Sequence, residues 1–217
     1  MCIRDRLETI DQLREHEPET PTKATLSRYI RSLRKERDDL GGSPSERERL
    51  GAQVGAAIEE GRIAVGDWQL GSDGWDLLAP GLERSYRRSR NRFRETRSDP
   101  SAENVHEWRK RVKDLWYQLR ILTPAWPAVL GETADQAHEL SDLLGDHHDL
   151  AVLADDARSR RERFDSEEDL DSLLRAIERR QGTLLASAFA LAERLYAERP
   201  KAFVRRLAAY WSAWRSG

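Results

Sequence analysis

Six side chains able to hold an anion recur between residues 106 and 120: His106, Arg109, Lys110, Lys113, Tyr117 and Arg120. At 100° per residue they fall together on one helical face. Arginine brings a planar fork of donors matched to phosphate oxygens, and lysine a compact positive charge. A neutral histidine donates one hydrogen bond, and its protonated form donates two. No acidic residue interrupts the face. At about 1.5 Å per residue it extends about 21 Å, which suits an extended polyanion better than a single small anion. Pattern alone leaves two readings open: the wet side of a charged helix, or an anion-binding row.

The element that carries this row is a helix over residues 104–123. Trp108, Val112, Leu115, Leu119 and Leu122 recur at spacings of four, three, four and three, the stripe of a buried amphipathic helix. Glu107, Arg111, Asp114 and Gln118 take a third side that reads as solvated, and Asp99-Pro100 reads as the cap. A second basic helix precedes it, capped by Asp73 and running to about Arg97, with a kink or late start expected at Pro80. Leu82, Tyr86, Ser89 and Phe93 form its inward stripe, and Arg87, Arg90, Arg94 and Arg97 an adjacent one. The segment from Arg84 to Arg94 contains no carboxylate. Arg87 and Arg90 are therefore expected to approach the same anion from a neighbouring helix.

Three stretches carry a family resemblance. VHEWRKRVKDLWYQLRIL resembles the signature helix of the CHAD family, the conserved-histidine α-helical domain. Its His, an Arg three residues on and a Lys seven on are His106, Arg109 and Lys113. The segment from Leu144-Gly145 through Asp149-Leu150 to Val152-Leu153 is similar to a second family motif, and RPKAFVRRLAAYWSAW to a third. Together they cover roughly residues 75–215. The resemblance implies an all-α fold of two related antiparallel helical bundles, with a basic channel that binds inorganic polyphosphate. The implied site is His106, Arg109, Lys110, Lys113, Arg87, Arg90, Tyr117 and Arg120, extended by Lys201 and Arg205 of the last helix. Family relatives are often linked to a triphosphatase domain, so a triphosphatase or other polyphosphate-metabolising protein is the implied partner. A first His-and-Arg signature is not found in the N-terminal part. Two readings are open: a protein with a shortened first half, or, the preferred one, a fragment whose first few residues, up to a stub at 1–6, are not native.

The 217 residues are 38% hydrophobic and 35% charged, with net charge −2. Charge is unevenly spread: residues 81–124 carry +6 and the remainder −8. That pattern implies a local basic site on a mildly acidic protein. One cysteine, Cys2, excludes an intrachain disulfide. No apolar run approaches a membrane span and no signal peptide is evident, so the expectation is a cytoplasmic protein, associated with polyphosphate granules.

The rest of the chain reads as helices joined by short turns, hence antiparallel neighbours. A helix with Leu7, Ile10 and Leu13 ends near Pro18. The next starts at Thr20-Pro21, with Leu26, Tyr29, Ile30 and Leu33 inward, and stops at Gly41-Gly42. Ser43 caps a third to about Ile63, in which Gly51 and Gly55 mark close helix packing. Residues 64–74 read as a connector dividing an N-terminal unit, 1–74, from a C-terminal one, 75–217. Further on, a helix over 127–144 is expected to stop at Gly145, followed by helices over 149–164, from Ser166 to about Arg199, and from Pro200 onward. Phe203, Leu207, Tyr210 and Trp214 are expected in the core. Adjacent His147 and His148 point about 100° apart and do not easily face one ion. They read as a turn and cap, with Asp149 paired to a basic residue of the organising helix, and no metal or cofactor is expected. Three other functions remain in view. Phosphate transfer through His106 would be enzymatic, but no carboxylate cluster, P-loop or paired base supports it. Nucleic-acid binding lacks a reader motif, and a structural helical adaptor would leave the basic faces without a ligand.

Overall fold

A computed structural model describes residues 3–39, 44–69 and 74–216. Eight α-helices occupy them, with no strand among the described residues: α1 (Ile3–His16), α2 (Ser27–Asp39), α3 (Pro44–Gly66), α4 (Trp75–Ser98), α5 (Ala102–Leu122), α6 (Glu132–Ser159), α7 (Glu167–Leu195) and α8 (Pro200–Ser216). The all-α expectation is met. The Gly41-Gly42 stop and the Ser43 and Asp73 caps lie outside the described residues.

Helix α5 runs through the centre of one core. Val105, Trp108, Val112, Leu115 and Leu119 are wholly buried and Leu122 is 3% exposed. At about 1.5–3 kcal/mol for each large apolar side chain removed from water, this stripe anchors the helix. It starts at Ser101, whose hydroxyl accepts from the Asn104 amide at 3.4 Å, so the expected cap at Asp99-Pro100 is corrected. Asp99 instead closes α4, and its carboxylate takes the Asn104 side chain at 2.8 Å. Pro80 lies inside α4, which begins five residues before it rather than late.

Two hydrophobic cores share α6 and α7. The first gathers α4, α5, the N-terminal half of α6, the C-terminal half of α7 and α8 around Trp108, Leu140 and the stacked rings of Tyr86 and Phe203, 4.0 Å apart. The second gathers α1 and α2 around Leu150, Leu153, Leu173 and Ile177, on the other halves of α6 and α7. The cores therefore do not part at the connector expected at 64–74, because two long helices pass from one to the other. Phe203 and Leu207 are buried as expected, but Trp214 is 44% exposed.

The N-terminal residues are woven into this arrangement. Ile3 to Arg6 continue α1, and the Arg6 guanidinium donates to Asp156 at 2.5 Å. Tyr29 donates to the other oxygen of Asp156 at 2.7 Å, and Arg160 approaches at 3.1 Å while also holding Glu36. One carboxylate of α6 thus clasps α1 and α2. Helix α6 itself is the largest departure from expectation. The predicted stop at Gly145 and the turn at His147-His148 are a continuous helix with Gly145 buried near its middle.

Candidate anion-binding face on helix α5

The row on α5 is framed by α6, which packs antiparallel against it. The His106 and His148 rings lie 4.6 Å apart at 34°. One turn on, the Arg109 guanidinium crosses the bare backbone of Gly145. A Cβ added there would sit 3.1 Å from Arg109 Nε and 3.3 Å from a terminal nitrogen. Two turns further, Trp116 meets His138 edge-on at 4.1 Å. As residue numbers rise on α5 they fall on α6, as antiparallel register requires. Gly145 is therefore explained by a close approach rather than by a helix end. Glycine inside a helix costs about 1 kcal/mol against alanine, and here its missing side chain is the space that Arg109 occupies.

This packing leaves two nitrogens without hydrogen-bond partners. Among the described residues, Nδ1 of His106 and Nε of Arg109 are buried with no hydrogen-bond partner. A buried donor with no acceptor costs about 1–3 kcal/mol, and more when it carries charge. Both lie at the N-terminal end of the row. Lys113 comes next, its Nζ 6.0 Å from the centre of the Tyr117 ring. Tyr117 is 49% exposed and stacks on Trp116, with ring centres 4.7 Å apart. Arg120 covers Trp116 at 5.3 Å. The far end of the row is thus two cations resting on an aromatic pair. Lys110 pairs with Glu107 and holds that carboxyl below the usual range. Its charge is partly answered within its own helix.

The expected neighbours are placed elsewhere. Arg90 donates through Nε to the Tyr196 carbonyl at 3.0 Å, closing the end of α7, and Arg87 pairs with Glu83 at 3.4 Å. Their stripe turns toward α7 and α8, whereas α5 meets α4 through its supposedly solvated third side. Glu107 and Arg111 share a cleft with Arg88 and Arg92, and Gln118 donates to Ser85 at 2.8 Å. Lys201 and Arg205 are exposed on α8, which packs on α4 and the turn Thr123–Ala125, away from α6. The structure thus gathers His106, Arg109, Lys110, Lys113, Tyr117 and Arg120 along one face and does not bring Arg87, Arg90, Lys201 or Arg205 to it.

A family model, the CHAD domain, matches residues 4–158. The chain belongs to the CHAD family. The match reaches back into α1 and ends at the close of α6, so it includes the first two motifs of the resemblance and the N-terminal helices, but not α8. Comparison with curated proteins and with solved structures finds no match.

Within this CHAD domain, residue-type reasoning missed His148 and Gly145 as part of the face. The signal was present: residues three apart on a helix share a side, so a glycine three positions before a histidine marks a bare patch beside an imidazole. His147 and His148 diverge, as adjacent positions about 100° apart require. His148 faces α5, while His147 is buried toward α7, where its carbonyl accepts from Gln181 at 3.1 Å. Burial pushes both imidazoles below their ordinary pKa, and the nearby His106 and Arg109 push His148 further. Asp149 lines a different cavity, with His16, Asp146 and Arg180, between α1, α6 and α7. Among the described residues no three His, Cys, Asp or Glu side chains are grouped to hold a metal ion. None of the described helices is long and apolar enough to cross a membrane.

Proposed function

We propose that this CHAD domain binds inorganic polyphosphate along α5 without transforming it. The observation that carries the reading is the gathering of His106, Arg109, Lys113 and Arg120 along one partly exposed face of α5, with the His148 ring beside its head. CHAD domains are associated with polyphosphate binding in general. An anionic oxygen at the head of the row would accept charge-assisted hydrogen bonds from the terminal N–H groups of Arg109 and from the His106 ring. Lys113 and Arg120 would meet successive phosphates along the chain, while the Tyr117 hydroxyl adds a neutral donor. His148, stacked against His106, would contribute to the same end. Any hydrolysis or phosphate transfer belongs to a partner, a triphosphatase or another polyphosphate-metabolising protein, and the setting is the cytoplasm, at polyphosphate granules.

The test is titration of long-chain polyphosphate into the wild type and into an Arg109→Ala/Lys113→Ala variant, with circular dichroism confirming that both are folded. Each lost charge-assisted contact is worth about 1.5–3 kcal/mol, so the double variant should bind at least a hundredfold more weakly. Equal binding by the two proteins would move the site off α5. Phosphate release from polyphosphate with magnesium present should stay at background, and release above it would replace the binding reading with an enzymatic one.

A further inference from the structure

Helix α3 belongs to neither core, and every described side chain from Glu48 to Gln69 is exposed. Most of its large apolar side chains nevertheless fall on one side, Ile63 on the opposite one excepted. At 100° per residue Leu50, Val54, Ala57, Ile58, Gly61 and Val65 fall within about 100° of arc. Leu50, Val54, Ile58 and Val65 are 53–66% exposed, as is Trp68 just past the helix end. Over the about 23 Å from Leu50 to Val65, on a helix about 10 Å across, that stripe covers about 200 Å², contiguous rather than scattered singly. The helix is also weak by itself. Gly51, Gly55 and Gly61 each cost about 1 kcal/mol against alanine. A Cβ at any of the three would meet nothing within 4 Å. The close packing expected of Gly51 and Gly55 is therefore not with this chain's own helices.

We propose that α3 pairs antiparallel with α3 of a second copy of this chain. Leu50, Val54, Ala57, Gly61, Ala64 and Trp68 recur at spacings of four, three, four, three and four, the seam of a two-helix coiled coil. Antiparallel layers seat Leu50 against Gly61 of the second copy and Val54 against Ala57 of the second copy. Large side chains then fill the space left by small ones, and the two-fold axis repeats each contact. The charges fit the same register. Arg49 and Glu60 lie on one flank of the stripe, about 20° apart in projection. An axis near residue 55 sets each Arg49 beside Glu60 of the second copy. Parallel pairing would place like charges at the same height and align the two helix dipoles unfavourably.

Sedimentation equilibrium of the full chain tests this. One helix pair buries less than the about 800 Å² per partner of a standard interface, so a concentration-dependent monomer–dimer equilibrium is expected rather than a permanent dimer. Val54→Glu should leave only monomer. Arg49→Glu and Glu60→Arg should each weaken the dimer about tenfold, through two repeated charge contacts, and the combined swap should restore it. The swaps leave the apolar stripe intact, and an unchanged thermal transition reports that both cores stay folded. A wild type still monomeric at hundreds of micromolar overturns the proposal. So does a dimer that survives Val54→Glu, or a combined swap that fails to restore association. A monomer whose α3 amides are protected from exchange points instead to α3 folding back on its own chain.

Discussion

Arg109 and Gly145 define the site at the scale of single residues. The guanidinium reaches its place only because α6 carries no side chain where the two helices meet. Gly145→Ala should therefore separate binding from stability. Alanine favours the helix by about 1 kcal/mol, so the thermal midpoint should hold or rise, while displacement of Arg109 weakens polyphosphate binding several-fold in a calorimetric titration. A second consequence follows from the imidazoles. Burial keeps His147 and His148 below their ordinary pKa. Below pH about 6.5 the unfolded chain then binds more protons than the folded one. Stability is full above that pH and declines as pH falls through it toward the folded-state values. A phosphate beside His148 favours its protonated form, so the stabilisation conferred by polyphosphate should grow over the same interval. Thermal melts at pH 8 and pH 5.5, with and without polyphosphate, check both signs, and His148→Gln should flatten the difference.

Among the elements, α6 does the most positioning, because it frames the α5 row with one half and holds the N-terminal helices with the other. Asp156 is the joint. Its side chain is 9% exposed and meets Arg6, Tyr29 and Arg160. Removing it leaves the partly buried Arg6 guanidinium without its counter-charge, while Arg160 keeps only Glu36. Asp156→Ala should cost about 3 kcal/mol in a denaturant titration, with amide protection lost first in α1 and α2. The same scale explains why the surroundings of the second basic helix were not legible in the sequence. The inward stripe of α4, from Leu82 to Phe93, was legible from its period. Which neighbour the adjacent Arg87–Arg90 stripe would meet was not, because that depends on the rotation of α4 against α5, α7 and α8. Arg90 ended on the Tyr196 carbonyl.

For the whole molecule, net charge gives polyphosphate no attraction, so affinity must come from local cations. Four of them on α5, Arg109, Lys110, Lys113 and Arg120, would release counterions on binding. By the rule for single-stranded polyanions the logarithm of affinity should fall with the logarithm of salt at a slope of about −3. Lys110→Ala should lower that slope by less than the about 0.7 of a full contact, since Glu107 already answers part of its charge. Titrations across a salt series measure both.

The sequence alone determined the all-α class, the buried stripe of α5, the cationic row beside it and the family. Each is carried by periodicity or by a contiguous motif, and a helix face is a local property of 3.6 residues per turn. Only the tertiary structure decided what each face meets. It joined the segments around Gly145 into one helix, brought His148 to His106, took Arg87 and Arg90 away from the row and merged α1 and α2 with α6 and α7. Those outcomes rest on pairings between residues far apart in the chain, where core packing sets the rotation of each helix and overrides local signals such as a glycine read as a stop.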